Sequence, residues 1–352
     1  MNYLKIKLEH ANEVKKLMMH LNIFDSSRTV QHSRSYVYFP IIVMNGKDIK
    51  PFDKFGAKII KRNLRKNSKR PSYEEELVKS LSANELKKLS KGYDQLGDIA
   101  IIEFKGSRAK EKAIAKILMK SNSTIKTVLA KDGAVSGKYR VRKLRYVAGL
   151  KNYIANYREN NCTFKFDVRK VFFSNRLSFE RSRLLKLVKE KENVMVMFAG
   201  VGPFAIEIAK SKKNSKVIGI EANPHGYRSM LENIKINKTP NATAILGDVK
   251  KVSNKFKNFA DRIIMPLPWS SLDFLDDVYT IAKKNAIVHI YAFTDAENAY
   301  ESVFKRIKEH SKLRNYKIIL LDKRLVRPYS KKELEIVLDY RMVKQKLSVK
   351  HI

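Results

Sequence analysis

Residues 194–205 read VMVMFAGVGPFA, an apolar run that turns at two glycines into a segment of helical character. A short buried strand, a tight turn and a helix in that order form the ligand-binding end of an open α/β sheet. Gly200 and Gly202 permit the turn and a close approach of a ligand to the backbone, and Pro203 suits the first turn of a helix. Several nucleotide-cofactor folds share the spacing Gly-x-Gly-x-x-Ala, so the loop alone does not choose the cofactor.

The chain around this loop alternates between short apolar strands and helical stretches. Strands are predicted at residues 194–197, 216–220, 242–246, 262–265 and 286–293. Such alternation predicts a parallel, doubly wound sheet. Two further strands, 316–321 and 334–340, follow each other without a full helix between them. A parallel sheet that ends in an antiparallel hairpin is the layout of a Rossmann-like class I methyltransferase.

Acidic residues at two strand ends narrow the choice of cofactor. Glu221 ends the second strand, where a carboxylate can accept both ribose hydroxyl protons of either cofactor class. Asp248 ends the third strand, where methyltransferases hold the adenine edge and nicotinamide enzymes have no standard need for an acid; capping a helix is its alternative role. Phe198 fits either the core or a cofactor contact. Together with the glycine loop, these residues favour S-adenosylmethionine.

A proline motif follows the fourth strand. Pro266-Leu267-Pro268-Trp269 fixes the backbone directly after residue 265, and we expect its carbonyls to point into the crevice. Trp269 is suited to stacking on a base or to ordinary packing. Methyltransferases that act on planar nitrogen commonly have a proline-containing motif at this point. We therefore expect Pro266 at the reacting centre and Pro268 at the cofactor.

Two smaller units are predicted ahead of the sheet. The first, residues 1–65, combines strands at 3–8 and 35–42 with a helix at 11–21. The second, residues 66–167, begins with a helical pattern through residue 89 and has a strand at 98–104, a basic helix at 108–120 and strands at 139–147, 152–156 and 162–168. We therefore predict two α+β domains followed by a catalytic α/β domain at 168–352.

The charge of the chain points to a polyanionic partner. Among 352 residues, 73 are Lys or Arg and 35 are Asp or Glu, a net charge of +38, while 44% hydrophobic content argues against a disordered basic tail. The densest basic stretch, KIIKRNLRKNSKR at 58–70, fits either a solvated linker or a segment that follows phosphates. One cysteine and seven scattered histidines predict neither a disulfide nor a metal site. Without a signal peptide or an 18-residue apolar run, we expect a cytoplasmic protein with no membrane contact.

At these motifs the chain resembles the archaeal and eukaryotic tRNA (guanine-37-N1) methyltransferase family. Further similar segments are FSNRLSFER at 173–181, YDQLGDIA at 93–100 and YVYFP at 36–40. The resemblance implies three domains: one that inspects tRNA shape, one that approaches the anticodon and one that carries the chemistry. It also implies S-adenosylmethionine as cofactor, contacts with the anticodon stem-loop and the tRNA elbow, and a monomer.

The chemistry of this family needs a base and a cation. N1 of guanine carries a proton at neutral pH, so methylation there requires removal of that proton and stabilisation of negative charge at O6. The resemblance implies Glu180 as the base, whose alternative is an ion pair with Arg176 or Arg183. It implies Arg140 or Arg142 as the contact to O6. Strand alternation would place these two arginines on the same face, and phosphate contact or solvated charge are their alternatives.

The predicted cofactor set is therefore the following list: Arg181, Phe198, Gly200, Gly202, Pro203, Phe204, Glu221, Asn223, Asp248 and Pro268. Arg181 is also suited to positioning substrate or phosphate. Two positions depart from the family pattern: Pro266 stands where the family usually has Asn, and Val196 where it tends to have Asp.

The departure at Pro266 keeps other activities open. A branch of the family that also methylates C7 of the tricyclic precursor 4-demethylwyosine departs at the same motif, so a bifunctional enzyme is one alternative. The aminocarboxypropyl transferase of the same pathway is another. Two further alternatives are an RNA-binding module with a vestigial cofactor fold and a nicotinamide oxidoreductase. The intact glycine loop with its two acidic residues argues against the binding module, and the positive charge argues against the oxidoreductase.

Overall fold

The computed structural model describes residues 2–21, 23–25, 28–42, 50–61, 73–82, 92–104, 107–330 and 332–345. The chain divides into two compact units, Met1–Ser80 and Leu81–Ile352. Among the described residues, no helix has both the length and the apolar character that crossing a membrane requires.

The first unit is a four-stranded antiparallel sheet with one covering helix. Its elements are β1 (Asn2–Lys7), α1 (Ala11–His20), β2 (Gln31–His32), β3 (Tyr36–Pro40), β4 (Lys58–Lys61) and α2 (Tyr73–Ser80). The strand order is β2-β3-β1-β4. Leu4, Phe39 and Phe52 form its core with Val14 and Met18 of α1. The alternation of β1 and the helical spacing of α1 place these side chains on facing surfaces.

The second unit begins with another four-stranded sheet and a separate hairpin. Its elements are β5 (Tyr93–Leu96), β6 (Ile99–Ile102), α3 (Arg108–Ser121), β7 (Thr127–Ser136), β8 (Val141–Gly149), β9 (Ile154–Glu159) and β10 (Cys162–Asp167). The sheet order is β5-β6-β7-β8, in which only β6 and β7 are parallel. Gly97, in the β5–β6 turn, leaves no room for a Cβ against the Asn156 carbonyl, so this turn lies directly on β9.

A seven-stranded sheet makes up the rest of this unit. Its strands are β11 (Asn193–Met197), β12 (Lys216–Glu221), β13 (Ala242–Leu246), β14 (Ala260–Met265), β15 (Ala282–Asp295), β16 (Tyr316–Pro328) and β17 (Glu333–Lys344). The helices are α4 (Ser178–Leu187), α5 (Pro203–Ser211), α6 (Pro224–Asn237), α7 (Val249–Val252), α8 (Leu275–Ile281) and α9 (Ala299–Lys312). The order is β13-β12-β11-β14-β15-β17-β16, parallel through β15, with β17 antiparallel to both of its neighbours.

Burial on both faces explains the composition of the central strands. Four consecutive residues of β11, Val194 to Met197, are fully buried. Helices cover both sides of a parallel sheet, so a central strand carries a continuous apolar run instead of an alternating one. The carboxyl ends of these strands therefore meet at one edge, where the glycine turn leaves β11.

The predicted fold class is confirmed, including the antiparallel hairpin at the end. The structure adds β7, a strand not among those predicted. Ala113, which helical spacing would place on an apolar face of α3, is exposed, while Ala115 is buried. Residues 62–70 of the basic stretch and 83–89 of the predicted helical pattern lie outside the described residues. The three domain boundaries stay a prediction.

Candidate active site

The two glycines of the turn after β11 have different surroundings. Gly200 has φ +60° and Gly202 has φ +90°, conformations that side chains other than glycine rarely adopt. A Cβ at Gly200 would meet only the Phe172 carbonyl, at 3.8 Å. A Cβ at Gly202 would come within 2.7 Å of Met230 Cγ and 2.8 Å of Ile206 Cδ1. Gly202 therefore lets the turn pack on the helices, whereas Gly200 has an open side.

Glu221 ties the end of β12 to this turn. Its Oε2 accepts a hydrogen bond from the Gly200 N–H and its Oε1 accepts one from the Asn223 N–H, both at 2.7 Å. Burial raises the pKa of Glu221, and the backbone N–H groups around it lower the pKa in part. Because a carboxylate has about four acceptor positions, further lone pairs remain for hydroxyl donors.

Asn223 supports Glu221 with its backbone N–H, while its side chain bonds to other backbone groups. Its Oδ1 accepts from the His225 N–H at 3.0 Å and caps α6, and its Nδ2 donates to the Lys170 carbonyl at 2.8 Å. The side chain is 4% exposed. These contacts give the amide group a structural role, and direct contact with the cofactor stays a prediction.

The other residues of the predicted cofactor set differ in exposure. Phe198, with φ +61°, lies edge-to-face with Phe274 at a centroid distance of 4.7 Å and is partly exposed. Asp248 caps α7 by accepting from the Lys250 N–H at 3.1 Å, which is the capping role named as its alternative, and it keeps its second oxygen. Pro203 begins α5 as expected, and Phe204 is a core side chain, 3% exposed.

Arg181 is buried among carboxylates. Its Nη2 donates to Glu159 Oε2 at 2.8 Å and to the Ser174 carbonyl at 3.1 Å, and its Nε lies 3.5 Å from Glu207 Oε1. Only 2% of the residue is exposed. These contacts tie the β9–β10 hairpin to α4 and α5. Its role at the cofactor or substrate stays a prediction.

Glu180 is held on one side of its carboxylate. Oε2 accepts from Arg183 Nε at 2.9 Å and from the Tyr291 hydroxyl at 3.0 Å. The ion pair with Arg183 is thus present. No residue that the structure describes donates to Oε1. The side chain is 3% exposed, so this oxygen is an unpaired acceptor in a nearly buried setting.

A buried chain of polar groups extends from Glu180 across the sheet. Arg183 Nη1 donates to Asp339 Oδ2 at 2.5 Å, and Asp339 Oδ1 lies 2.6 Å from His289 Nδ1. His289 Nε2 lies 2.7 Å from Nη1 of Arg262. A guanidinium can only donate, so Nε2 accepts and the proton of a neutral imidazole faces Asp339. Burial lowers the pKa of His289, in agreement with that neutral form.

Arg140, and not Arg142, has a described contact at the carboxyl edge of the sheet. The predicted placement on one strand face is wrong, because Arg140 lies in the β7–β8 turn with φ +52° and only Arg142 belongs to β8. The Arg140 guanidinium carbon lies 4.8 Å from the centroid of the Trp269 ring. The structure thus connects this turn to the proline motif.

Two carbonyls of the proline motif, those of Leu267 and Pro268, accept hydrogen bonds from protein groups, so the expectation that the carbonyls point into the crevice is wrong for these two residues. The Pro268 carbonyl accepts from the Phe293 N–H at 2.9 Å, and the Leu267 carbonyl accepts from Ser271 Oγ at 2.6 Å. Among the described residues, none donates to the Pro266 carbonyl. The motif therefore fixes the loop to β15 first, and its roles at the reacting centre and the cofactor stay predictions.

Models of known families match most of the chain. The TRM5/TYW2 methyltransferase domain matches residues 155–319, the TYW2 N-terminal domain residues 73–152 and the tRNA methyltransferase 5 N-terminal domain residues 4–45. Over 340 residues the chain is 32% identical to the tRNA (guanine(37)-N(1))-methyltransferase Trm5b of Pyrococcus abyssi, covering 96% of this chain and 98% of the relative. The chain belongs to the TRM5/TYW2 methyltransferase family.

Another member of the TRM5/TYW2 family has two activities in its name. The tRNA (guanine(37)-N(1))/4-demethylwyosine(37)-methyltransferase Taw22 of Nanoarchaeum equitans is 30% identical over 277 residues, which cover 64% of this chain and 91% of the relative. The predicted resemblance is confirmed by these matches.

Solved structures from the family agree with the fold. The crystal structure of Trm5b from P. abyssi has a TM-score of 0.74 at 30% identity, covering 97% of this chain and 99% of that one. A complex of aTrm5 with tRNALeu has a TM-score of 0.69 at 29% identity and the same coverage. TYW2 from Methanocaldococcus jannaschii in complex with AdoMet has a TM-score of 0.58 at 28% identity, covering 72% of this chain and 100% of that one.

A salt bridge joins two motifs of this family that are far apart in sequence. Arg176 Nη2 donates to Asp94 Oδ1 at 2.8 Å, and Lys131 Nζ lies 3.2 Å from Asp94 Oδ2. Asn175 Nδ2 donates to the Gln95 carbonyl at 3.2 Å. Burial alone raises the pKa of Asp94, but the two cations outweigh it and hold the pKa below its ordinary value. The β5–β8 sheet is therefore anchored to the turn that begins α4.

Apart from Arg183, the residues that support Glu180 carry little signal in the sequence. Tyr291, His289 and Asp339 are separated from it by more than 100 positions and lie in the buried parts of two strands. The local sequence shows only a polar residue inside a buried strand. Such a residue is expected to have a hydrogen-bond partner, but the sequence does not identify that partner. Phe293 and Tyr329, which contact Trp269, were missed for the same reason.

Proposed function

We propose that the protein transfers a methyl group from S-adenosylmethionine to N1 of guanosine 37 in tRNA. The observation that carries the proposal is the match with a guanine-37-N1 methyltransferase over 96% of the chain. It is supported by the open side of the turn at Gly200 and by a buried glutamate with one unpaired oxygen.

The residues at the carboxyl edge of the sheet fit the cofactor. Gly200 leaves its side of the turn open, and Glu221 offers lone pairs for two ribose hydroxyls. The second oxygen of Asp248 and the ring of Phe198 are suited to the adenine edge and face. When bound, S-adenosylmethionine supplies an electrophilic methyl group. This chain contributes the position of the cofactor and the handling of the proton.

Glu180 is suited to remove the N1 proton. Arg183 and Tyr291 fix Oε2, and Oε1 is left to accept a proton. Burial together with the Glu180 charge raises the pKa of Tyr291 well above its ordinary value, so the hydroxyl remains a donor. A fixed base needs little reorganisation when the substrate arrives. Negative charge that then develops at guanine O6 requires a cation, the role we propose for Arg140.

The net charge of +38 supports tRNA as the partner. We propose contacts of the chain with the anticodon stem-loop and the tRNA elbow. A monomer in the cytoplasm completes the proposal.

Nucleoside mass spectrometry tests the reaction directly. The protein is incubated with S-adenosylmethionine and a tRNA transcript that has guanosine or adenosine at position 37. We expect 1-methylguanosine only from the first transcript. Absence of product from both would refute the proposed reaction.

Glu180→Gln tests the base. We expect a fall in kcat of about 100-fold or more with little change in cofactor affinity, because a general base contributes about that much. Glu111→Gln is the matched control: Glu111 is 7% exposed and also pairs with an arginine, Arg145. Equal losses in both variants would mean that Glu180 only stabilises the fold.

A second activity on 4-demethylwyosine is favoured by Pro266. The family usually has Asn there, and Taw22, whose name includes both activities, is similar to this chain. A tRNA carrying 4-demethylwyosine at position 37 separates the alternatives by product mass. A gain of one methyl group supports bifunctional methylation, and a gain of an aminocarboxypropyl group supports the transferase of the same pathway.

A further inference from the structure

Three strands that run in the same direction each bring one aromatic ring to the same edge of the seven-stranded sheet. β14 and β15 are parallel, and β16 shares their direction because β17 is antiparallel to both β15 and β16. Trp269 follows β14, Phe293 lies near the end of β15, and Tyr329 follows β16. The centroid distances are 4.6 Å for Trp269–Phe293, 4.3 Å for Phe293–Tyr329 and 5.4 Å for Trp269–Tyr329.

This aromatic cluster remains open to solvent. Trp269 is 47% exposed and Tyr329 is 46% exposed, whereas aromatic residues that only fill a core are mostly buried. The Arg140 guanidinium carbon lies 4.8 Å from the Trp269 ring centroid. Exposed rings beside a guanidinium are the combination that stacks on unpaired nucleic-acid bases.

The backbone under the cluster is fixed before any ligand arrives. The Phe293 N–H donates to the Pro268 carbonyl at 2.9 Å, which joins the loop carrying Trp269 to β15. Pro268 also restricts the chain directly before Trp269. A platform already held in place loses little freedom when a ligand binds.

We propose that Trp269, Phe293 and Tyr329 form a stacking wall for the base at position 37 after it has been turned out of the tRNA, with Arg140 at its border. The proposal rests on the proposed function, because that function supplies the tRNA. It adds the surface that holds the base, which neither the cofactor turn nor Glu180 provides.

Trp269 is the only tryptophan among 16 tyrosines, so fluorescence excited at the red edge, where tryptophan absorbs and tyrosine does not, reports on the wall alone. The full chain is titrated with two anticodon stem-loops, one with guanine at position 37 and one with an abasic site there. A fluorescent label on the RNA reports saturation by anisotropy. We expect strong quenching at saturation with guanine and little with the abasic RNA. Equal quenching by both RNAs would overturn the proposal.

Variants provide a second, independent test. Trp269→Ala should weaken binding of the guanine RNA by about 5-fold to 150-fold and leave binding of the abasic RNA unchanged. Trp269→Phe, which keeps a ring, should restore most of the affinity. Tyr139→Ala is the control, because Tyr139 is 40% exposed in the same turn as Arg140 but outside the cluster. Equal losses for both RNAs, or an equal effect of Tyr139→Ala, would refute the wall.

Methyl transfer by the unmodified protein, measured in parallel, separates this inference from the proposed function. Base-dependent quenching without methylated product would refute the reaction and support the wall. Methylated product without base-dependent quenching would support the reaction and refute the wall. Cofactor affinity by calorimetry should be the same in Trp269→Ala, which verifies that the variant is folded.

Discussion

Alanine substitutions at the two glycines of the cofactor turn should have opposite main effects. Gly200 and Gly202 both adopt positive φ, which costs a residue with a side chain about 1–2 kcal/mol. At Gly200 the added methyl group meets only a carbonyl at 3.8 Å, so we expect no further loss of stability. At Gly202 it also clashes with Met230 and Ile206, and overpacking adds about 1–3 kcal/mol. The expected losses are therefore about 1–2 and about 2–5 kcal/mol.

Cofactor binding should follow the reverse order. The methyl group of Gly200→Ala enters the open side of the turn, and we expect S-adenosylmethionine to bind at least about tenfold more weakly, or about 1.4 kcal/mol. The methyl group of Gly202→Ala points toward the helices and should affect binding less. Unfolding midpoints in denaturant and titration calorimetry measure the two effects.

Gly137→Ala isolates the cost of backbone strain within the same unit. Gly137 has φ +73°, a positive value like that of Gly200, and a Cβ there meets nothing within 4 Å. This control should lose about as much stability as Gly200→Ala without any change in cofactor affinity. Unchanged cofactor affinity in Gly200→Ala, or a smaller loss of stability in Gly202→Ala than in Gly200→Ala, would refute the assignment of the two glycines.

Three further predictions concern buried charge and RNA binding. Burial, with the neighbouring Glu159 carboxylate, raises the pKa of Glu207 to about 9 from 4.5. Between these pH values the folded state retains a proton that the unfolded state releases. The free energy of unfolding should therefore fall as the pH rises through this range. Glu207→Gln should flatten that slope in denaturant titrations, and an unchanged slope would contradict the assignment. Asp339→Asn removes the charge between Arg183 and His289 and should destabilise the fold by about 3–5 kcal/mol. An unchanged unfolding midpoint would contradict this prediction. Affinity for tRNA should fall about a thousandfold or more between about 50 and 200 mM salt, and a flat response would refute phosphate-dominated binding.

Hydrophobic periodicity predicts most strands of the seven-stranded sheet, but it does not predict local turns such as the one at Arg140. The strands that carry the glycine turn and Glu221 were predicted because their apolar runs are continuous and short. Alternation continues through Arg140 and predicts a strand there, yet the backbone turns at this residue with positive φ. Arginine is not a usual turn residue, and the sequence carries no warning of the change.

Long-range pairing accounts for what was missed at Glu180. The motif around Glu180 predicts the role of a base, and the arginine three residues later predicts an ion pair. The bonds from Tyr291 and from Asp339, through Arg183, depend on strands whose order in the sheet differs from their order in the chain. Similarly, a proline motif predicts a stiff loop, but not that the Phe293 N–H occupies one of its carbonyls.

The position of β17 in the chain determines when, during synthesis, the buried polar groups next to Glu180 are all present. This strand is inserted between β15 and β16 although it follows both in the chain, and it carries Asp339. A ribosome releases α4 and the five parallel strands first, so a nascent chain contains Arg183 and His289 well before their shared partner. Products that stop before residue 333 therefore lack the second carboxylate partner of Arg183, which is left with Glu180 alone, and have an open strand edge at β15. Premature chains are thus exposed to cellular proteases and chaperones until the last strand is translated.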